Sequence, residues 1–305
     1  MRQEIKRVTL NDSRNVVLQH TLNIAGEVLN VKDEVWFDNL VKTSIKDDWY
    51  LHEKLNTDWV NCEQTVEDES KLYSSNEYAF DICKCYTHWT KPNVAMTVRG
   101  ILDIRKEIPD FADGWTFVDY FGGVALSSIY LAQQLTAAGI NANVVYYNSG
   151  NNIAQVALAK RFFEEFGSPS NMSFHISDEP PKGDCYLFYE VFEHIREPWE
   201  FVKYVINKNL PKCILHVSRF NLPLISGHFK NYTIDGQIFS GKIATREFEK
   251  RFKTIDFVRT VIPQEFNGVP RMHIHKSVFP SHINTPNMKW DMKSLKKKRE
   301  MNSVT

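Results

Sequence analysis

The sequence predicts an α/β protein built on a doubly wound, mostly parallel sheet of seven strands, preceded by a helical N-terminal region. Five strand-like segments alternate with helical ones between residues 117 and 217, a spacing typical of a parallel sheet with helices on both faces. Two more strand-like segments flank Asn267-Gly268, a dipeptide that favours a closing antiparallel hairpin. Residues 1–95 carry helical periodicity without strand patterns, which indicates the helical region.

The individual elements follow from apolar runs and helix-ending glycines. The predicted strands are 117–120, 144–147, 172–176, 185–189, 213–217, 257–262 and 271–278. The predicted helices between them are 126–138, 153–166, 199–207 and 245–252. Gly139 and Gly167 follow the first two of these helices, as expected of glycines at helix C-termini.

The chain divides into three predicted parts: a helical cap at 1–95, the α/β domain at 96–280, and a polar, basic tail at 281–305. Within the cap, a short helix beginning at Val16 is predicted to end at Gly26. Many aromatic residues precede Lys91. They either pack the cap onto the sheet or stack on a substrate in a cleft, and packing is the favoured interpretation.

Composition limits the classes of function. Basic and acidic residues balance at 37 each, so no overall field favours nucleic acid or a membrane surface. A local basic cleft would not change this total, and nucleic acid therefore stays open as a partner. No apolar run is long enough to span a bilayer, and no signal-type core follows Met1. We therefore expect a cytoplasmic protein without a membrane partner.

The central motif is a strand–turn–helix pattern at residues 116–125. An apolar run ends in Asp119, passes through Gly122 and Gly123, and opens into a helical pattern. This order places backbone N–H groups at a helix N-terminus, where they favour a polar or anionic ligand. Ligands of open α/β sheets bind at the carboxyl edge of the strands, so the sequence predicts a ligand site at this turn.

With this turn and the closing hairpin, residues 115–280 resemble a class I S-adenosylmethionine-dependent methyltransferase. The resemblance implies a Rossmann-like methyltransferase fold and S-adenosylmethionine as the cofactor. Asp119 takes the place of the family's acid, and Gly123 takes that of its central glycine. Gly122 supplies part of the remaining backbone freedom, and all three residues are implied to contact the cofactor.

Other positions depart from the family pattern or extend it. Phe121 and Ala125 stand where the family has its outer glycines. Asn148 stands where an acid holds the ribose hydroxyls, and an amide binds them without the strength of a charged acceptor. Asp178 is the implied contact of the adenine amino group. Glu190, after the fourth strand, is also implied to contact the cofactor.

The segment 184–198 is similar to the fourth-strand signature of many methyltransferases, in which an apolar strand ends in Glu-His and an acid–Pro pair. The resemblance implies His194 and Glu193 as the catalytic residues. His194 follows the strand at the ligand-binding edge, where it would act as a base or orient the acceptor. An alternative of equal weight is that the imidazole packs beside the cofactor for structural reasons.

A divalent metal is a further alternative. Glu190, Glu193 and His194 are similar to a cluster that holds a divalent cation in small-RNA 2′-O-methyltransferases, and His216 or His228 would complete it. The less exotic interpretation, that these carboxylates serve the cofactor and a helix cap, is favoured, and no metal ligand is assigned. His273 and His275 share one strand face, which predicts a half-exposed face rather than a ligand pair. The five cysteines suit free thiols.

Three functional hypotheses follow. The first is methyl transfer from S-adenosylmethionine to an unidentified acceptor, either a small molecule or a nucleic acid. The second is a methyltransferase-like scaffold without catalysis that serves as a binding or regulatory protein. The third is another nucleotide-ligand enzyme on the same fold. The sequence leaves the oligomeric state open.

Overall fold

The computed structural model describes residues 7–47, 49–220, 227–252, 254–261 and 270–279. The predicted tail at 281–305 and the hairpin turn at Asn267-Gly268 lie outside the described residues. Within the described ranges, no helix is long and apolar enough to cross a membrane.

Nine strands are described, and seven of them form the central sheet. Their bounds are β1 Thr116–Tyr120, β2 Asn143–Asn148, β3 Met172–Ile176, β4 Cys185–Tyr189, β5 Cys213–Val217, β6 Asn231–Ile234, β7 Gln237–Ser240, β8 Phe257–Val261 and β9 Arg271–His275. The sheet order is β3-β2-β1-β4-β5-β9-β8. The first five strands of this order pair in parallel, whereas β9 is antiparallel to both β5 and β8. The predicted α/β class, mostly parallel with a closing antiparallel hairpin, is confirmed.

Helices cover both faces of the sheet. Side chains of successive strand residues point to opposite faces, so the central strands contribute to two hydrophobic cores, one on each side of the sheet. Cys185 and Leu187 of β4 lie in the first core. Tyr186 and Phe188 lie in the second. The helices after β1 are α7 Leu126–Ala137, α8 Ile153–Glu165, α9 Pro198–Asn209 and α10 Gly241–Phe252. The first core contains side chains of α7 and α8, and the second contains those of α9 and α10.

The N-terminal region is helical, as predicted. It comprises α1 Arg14–Val28, α2 Val35–Lys46, α3 Tyr50–Val60, α4 Val66–Ser74, α5 Asn76–Cys85, a π-helical turn at Tyr86–Thr90, and α6 Lys91–Ile104. The boundary predicted between residues 95 and 96 falls inside α6. Leu18, Ala79 and Ile101, from α1, α5 and α6, share the first core with the sheet.

The predicted end of the first helix at Gly26 is wrong, because α1 continues to Val28. Gly26 is buried, and a Cβ atom on it would lie 2.3 Å from Cζ of Phe37. The glycine therefore permits α2 to pack its Phe37 ring directly on the backbone of α1, and it is not a helix cap.

Two further features differ from the predictions. Strands β6 and β7 form a separate hairpin across Asp235 and Gly236, both at positive φ. Asp-Gly between alternating apolar residues is a strong hairpin signal, and the predictions overlooked it. His273 does not lie on a half-exposed face, since it is fully buried and its Nε2 lies 3.1 Å from Nε2 of His216.

Candidate functional site: a cleft between the helical region and the sheet edge

A cavity of about 340 Å³ lies at the carboxyl ends of four neighbouring strands. Phe121, Asn148, Glu190 and Arg219 end or follow β1, β2, β4 and β5, and they line one side. The helical region supplies the opposite wall, which includes Tyr73, Tyr78, Asp81, Ile82, Cys85, Tyr86 and Trp89. A cleft of the size of small-molecule sites therefore lies at the sheet edge where the sequence predicts a ligand site.

The turn after β1 has the backbone that a glycine-rich loop would have. Phe121 (φ 55°), Gly123 (φ 54°) and Ala125 (φ 64°) are all left-handed. For a residue with a side chain this conformation costs about 1–2 kcal/mol. Phe121 and Ala125 are the residues at the outer glycine positions of the resembled motif, so the loop keeps the glycine geometry without the glycines.

The two real glycines of the turn are needed for space. A Cβ atom on Gly122 would lie 2.9 Å from both Oδ2 of Asp119 and Cδ2 of Tyr146. A Cβ atom on Gly123 would lie 3.1 Å from Cγ2 of Ile82 in α5. The turn is therefore packed between the sheet and the helical wall, and it lines the cleft with bare backbone.

Asp119 lies at the base of the turn and lines the cleft. It is only 2% exposed, and Oδ2 accepts hydrogen bonds from Ser127 Oγ at 2.9 Å and Ser128 Oγ at 2.6 Å. Burial raises the pKa of Asp119 to about 6, although the two hydroxyl donors oppose this shift. The side chain thus ties the first turn of α7 to the end of β1.

Asn148 lines the cleft at the end of β2, but its amide already has partners. Its Nδ2 donates to Tyr146 Oη at 3.0 Å, and its Oδ1 accepts from Asn152 Nδ2 at 3.4 Å. Tyr146 Oη in turn donates to the carbonyl of Gly123 at 2.7 Å. A chain of hydrogen bonds therefore joins β2 to the turn after β1.

Asp178 is not brought into the cleft. It is exposed and does not belong to the cavity lining, and only its carbonyl is engaged, by Tyr147 Oη at 3.3 Å. The structure thus separates Asp178 from the other predicted cofactor residues, and its contact with adenine stays a prediction.

A buried ion pair, which the sequence did not indicate, lies at the ends of β4 and β5. Arg219 Nε is 2.8 Å from Oε2 and 3.1 Å from Oε1 of Glu190, and the Arg219 side chain is 8% exposed. The guanidinium carbon lies 3.7 Å from the centre of the Trp89 ring in the π-helical turn. The carboxylate and the indole together hold the guanidinium group in one orientation.

Glu193 is buried under the cleft and does not line it. Neither of its carboxylate oxygens forms a hydrogen bond of normal geometry with the described residues. Burial, followed by the negative charge of Glu190, raises the pKa of Glu193 well above its ordinary value. Burial and this neighbouring charge thus disfavour the ionised form of the carboxyl.

His194 reaches the cleft from the short helix after β4. Burial lowers its pKa to about 4, so the imidazole is neutral near pH 7. Nδ1 of His194 and Oη of Tyr73 are buried and form no hydrogen bond of normal geometry with the described residues. The Tyr73 ring meets His194 edge-on, with centroids 6.1 Å apart.

No group of three or more His, Cys, Asp or Glu residues within the described ranges is arranged to hold a metal ion. His216, one proposed additional ligand, lies in the core against His273. The metal alternative therefore gains no support from the arrangement of Glu190, Glu193 and His194.

The residues that the predictions missed are Arg219, Trp89 and Tyr73. Arg219 follows a strand at the ligand edge of the sheet, and that position is a signal that could have identified it. Nothing in the local pattern of Tyr73 or Trp89 distinguishes them from aromatic residues that pack the helical region, because only the tertiary fold turns them toward the cleft.

Comparisons with known proteins concern structure rather than sequence. No protein-family model and no curated protein matches the sequence of this chain. The small RNA methyltransferase HEN1 is similar over 62% of this chain and 26% of its own, at 14% identity and a TM-score of 0.41. The chain thus spans about a quarter of that structure.

Two other solved structures are similar. The CMeT domain of citrinin polyketide synthase matches over 86% of this chain and 88% of its own, at 10% identity and a TM-score of 0.44. An O-methyltransferase family protein from Burkholderia thailandensis matches over 66% of this chain and 62% of its own, at 13% identity and a TM-score of 0.41. These similarities concern the fold of the chain.

Proposed function

We propose that this protein transfers a methyl group from S-adenosylmethionine to an acceptor bound in the cleft. The observation that carries the proposal is the turn after β1, where Phe121, Gly123 and Ala125 all have left-handed backbone and where Gly122 and Gly123 line the cavity at the sheet edge. A non-glycine residue adopts this conformation only where the surrounding structure enforces it. Phe121 and Ala125 retain it, which supports a loop shaped for a ligand.

The residues present fit such a cofactor. Gly122 and Gly123 offer backbone to the sugar portion, and Asn148 lies at the strand end where ribose hydroxyls would be held. Asp119 anchors the start of α7, whose N-terminus faces the cleft. S-adenosylmethionine, when bound, supplies a methyl group on a sulfonium that needs no further activation, so catalysis depends mainly on positioning.

His194 is the proposed proton acceptor. Its imidazole is neutral near pH 7 because burial lowers its pKa to about 4. A neutral imidazole can accept a hydrogen bond, or a proton, from a hydroxyl or amine acceptor through the ring nitrogen that carries no hydrogen. Tyr73 lies beside it and would orient the same group. Glu193, the second predicted catalytic residue, does not face the cleft, and we propose no direct contact with the acceptor.

The helical wall would exclude water from the reaction. Tyr78, Tyr86 and Trp89 cover the cleft opposite the sheet, and a dry site strengthens each polar contact inside it. Either a small molecule or an extruded nucleobase would fit between aromatic rings, so the acceptor remains open at this level.

Isothermal titration calorimetry with S-adenosylmethionine and S-adenosylhomocysteine tests the proposal. We expect both ligands to bind, with one site per chain. A lack of binding by both at millimolar concentration would contradict it. The matched control is Gly236→Ala in the β6–β7 turn. Its φ of 72° strains alanine, but open space surrounds the new methyl group, which lies outside the cleft lining, so the folded variant should bind as the wild type does.

A second candidate function is cofactor binding without transfer. It is favoured by Asn148, whose amide is engaged by Tyr146 and Asn152 and therefore has reduced capacity for ribose. Binding of both ligands without loss of a methyl group to any acceptor in a panel of small molecules and RNAs would select this alternative.

A further inference from the structure

Arg219 presents an unused edge to the cleft. Its contacts with Glu190 involve Nε, and its face is covered by Trp89. Its Nη1 and Nη2 groups form no hydrogen bond with the described residues, although Arg219 is 7% exposed and lines the cavity. The two Nη groups form a planar fork that matches a carboxylate. This fork is held in place before any ligand arrives.

Arg219 is also the one Lys or Arg residue among the described residues that line the cavity. The acidic lining residues are Asp81, Asp119 and Glu190. Among the described lining residues, Arg219 is therefore the one permanent positive charge that an anionic ligand group can contact, and it lies beside the carboxylate of Glu190.

Both carboxylate oxygens of Glu190 contact Nε of Arg219. The proton of the Glu190–Glu193 pair resides on Glu193, because burial and the charge of Glu190 raise the pKa of Glu193. Glu190 remains paired with Arg219 and is available to a cation. A positive fork and a negative carboxylate side by side complement a zwitterion, which has a carboxylate and an ammonium group on adjacent atoms.

We propose that the Glu190–Arg219 pair binds the amino-acid end of S-adenosylmethionine, with its carboxylate on the Nη fork of Arg219 and its ammonium group on Glu190. This assignment rests on the proposed function. Asn148 ends β2 and Arg219 follows β5, three strand spacings away in the order β2-β1-β4-β5. That separation is roughly 14 Å. The part of an extended S-adenosylmethionine between its ribose and its carboxylate, with a hydrogen bond at each end, covers this distance.

Two ligands that share a nucleoside separate this contact from the rest of the cofactor site. S-adenosylhomocysteine carries the amino-acid end, and 5′-methylthioadenosine lacks it. Wild-type protein should bind the first more tightly. Arg219→Met should reduce the affinity for S-adenosylhomocysteine by about 10- to 100-fold, as expected for loss of charge-assisted hydrogen bonds. Its affinity for 5′-methylthioadenosine should not change. Arg219→Lys should lie between, since it keeps the charge and loses the fork.

Removal of one partner from a buried ion pair can unfold a protein, so Glu190→Gln/Arg219→Met provides a second test of the same ligand ratio. Arg161→Met, which removes a surface partner of Glu165, is the matched control and should behave as the wild type. An equal loss of affinity for both ligands would show that Arg219 has a structural role. Unchanged affinity for both ligands would show that Arg219 does not contact the cofactor. Either result overturns the proposal. If the wild type binds neither ligand, the proposed function itself fails.

Discussion

The two halves of the cleft satisfy their polar groups in opposite ways. In the nucleoside half, formed by Asp119, the turn 121–125 and Asn148, hydrogen bonds within the protein occupy the side chains. In the proposed reaction half, formed by Glu190, His194, Tyr73 and Arg219, the Glu190 and Arg219 side chains pair with each other, but Nδ1 of His194 and Oη of Tyr73 are buried and form no hydrogen bond of normal geometry with the described residues. Buried polar groups are normally hydrogen-bonded.

This contrast indicates a division of roles. A region with internal hydrogen bonds keeps one shape with or without a ligand, which suits a cradle for a constant cofactor. Buried polar atoms that form no normal hydrogen bond with the described residues, such as Nδ1 of His194 and Oη of Tyr73, are costly unless another group satisfies them. The reaction half is therefore the region that a bound substrate should stabilise most, and the following predictions test that difference.

The largest effect is expected at His194. His194→Ala should reduce turnover by about 10²–10⁴-fold, the usual contribution of a positioned base, and should retain affinity for S-adenosylhomocysteine. Steady-state kinetics together with calorimetry separates the two quantities. His175→Ala, at an imidazole outside the cleft lining, is the control and should leave both unchanged. A His194→Ala protein with normal turnover would exclude the imidazole from the mechanism.

Asp119 should control the pH dependence of stability. Its pKa is raised to about 6 from 3.8. As pH rises, the unfolded chain therefore loses this proton before the folded protein does, and the free energy of unfolding falls. The contribution of Asp119 to the free energy of unfolding is greatest below pH 4 and declines as pH rises through 6, by about 3 kcal/mol in total. In urea unfolding measured from pH 4 to 7, the difference in the free energy of unfolding between wild type and Asp119→Asn should shrink by this amount as pH rises.

His194 contributes with the opposite sign in that window. Its pKa is lowered to about 4 from 6.5, so the unfolded chain binds the proton first and stability falls as pH decreases from 6.5 to 4. Relative to wild type, Asp119→Asn should therefore lose more stability as pH decreases from 6 to 4. The same pH profile in wild type and variant would contradict the assigned burial of Asp119.

Gly122→Ala should distort the turn 121–125 by overpacking. The new methyl group would meet Oδ2 of Asp119 and the Tyr146 ring at 2.9 Å, and strain of this kind costs about 1–3 kcal/mol. We expect a lower melting temperature and weaker S-adenosylhomocysteine binding. Gly139→Ala is also strained, since its φ is 68°, but it has open space around the methyl group. It should lose stability without losing affinity.

The smallest effect is expected at Ala125. Its φ of 64° disfavours alanine by about 1–2 kcal/mol, whereas burial of its methyl group contributes only about 0.8 kcal/mol. Ala125→Gly should therefore be as stable as the wild type or up to about 1 kcal/mol more stable. Ala138→Gly, at an ordinary helical φ of −83°, should be less stable by about 0.5–1 kcal/mol. Equal losses in both variants would contradict the strain assigned to the turn.

The sheet was predictable because its signals are local. Continuous apolar runs in β4 and β5, and glycines after the helices, report directly on backbone conformation and burial. Gly26 misled the prediction because a helix-ending glycine and a glycine that admits a neighbouring ring look alike in sequence. His273 misled it because strand periodicity gives the face of a residue but not what covers that face.

By itself, the sequence determined the parallel sheet, the closing hairpin, and a cofactor-type turn with Asp119 at its base, because short-range patterns of apolar residues and glycines dictate backbone geometry. Only the tertiary structure decided that Phe121 and Ala125 keep the shape of glycines, and that Trp89 covers Arg219 beside Glu190. Those facts depend on contacts between segments far apart in the chain, and no local pattern encodes the packing that enforces them.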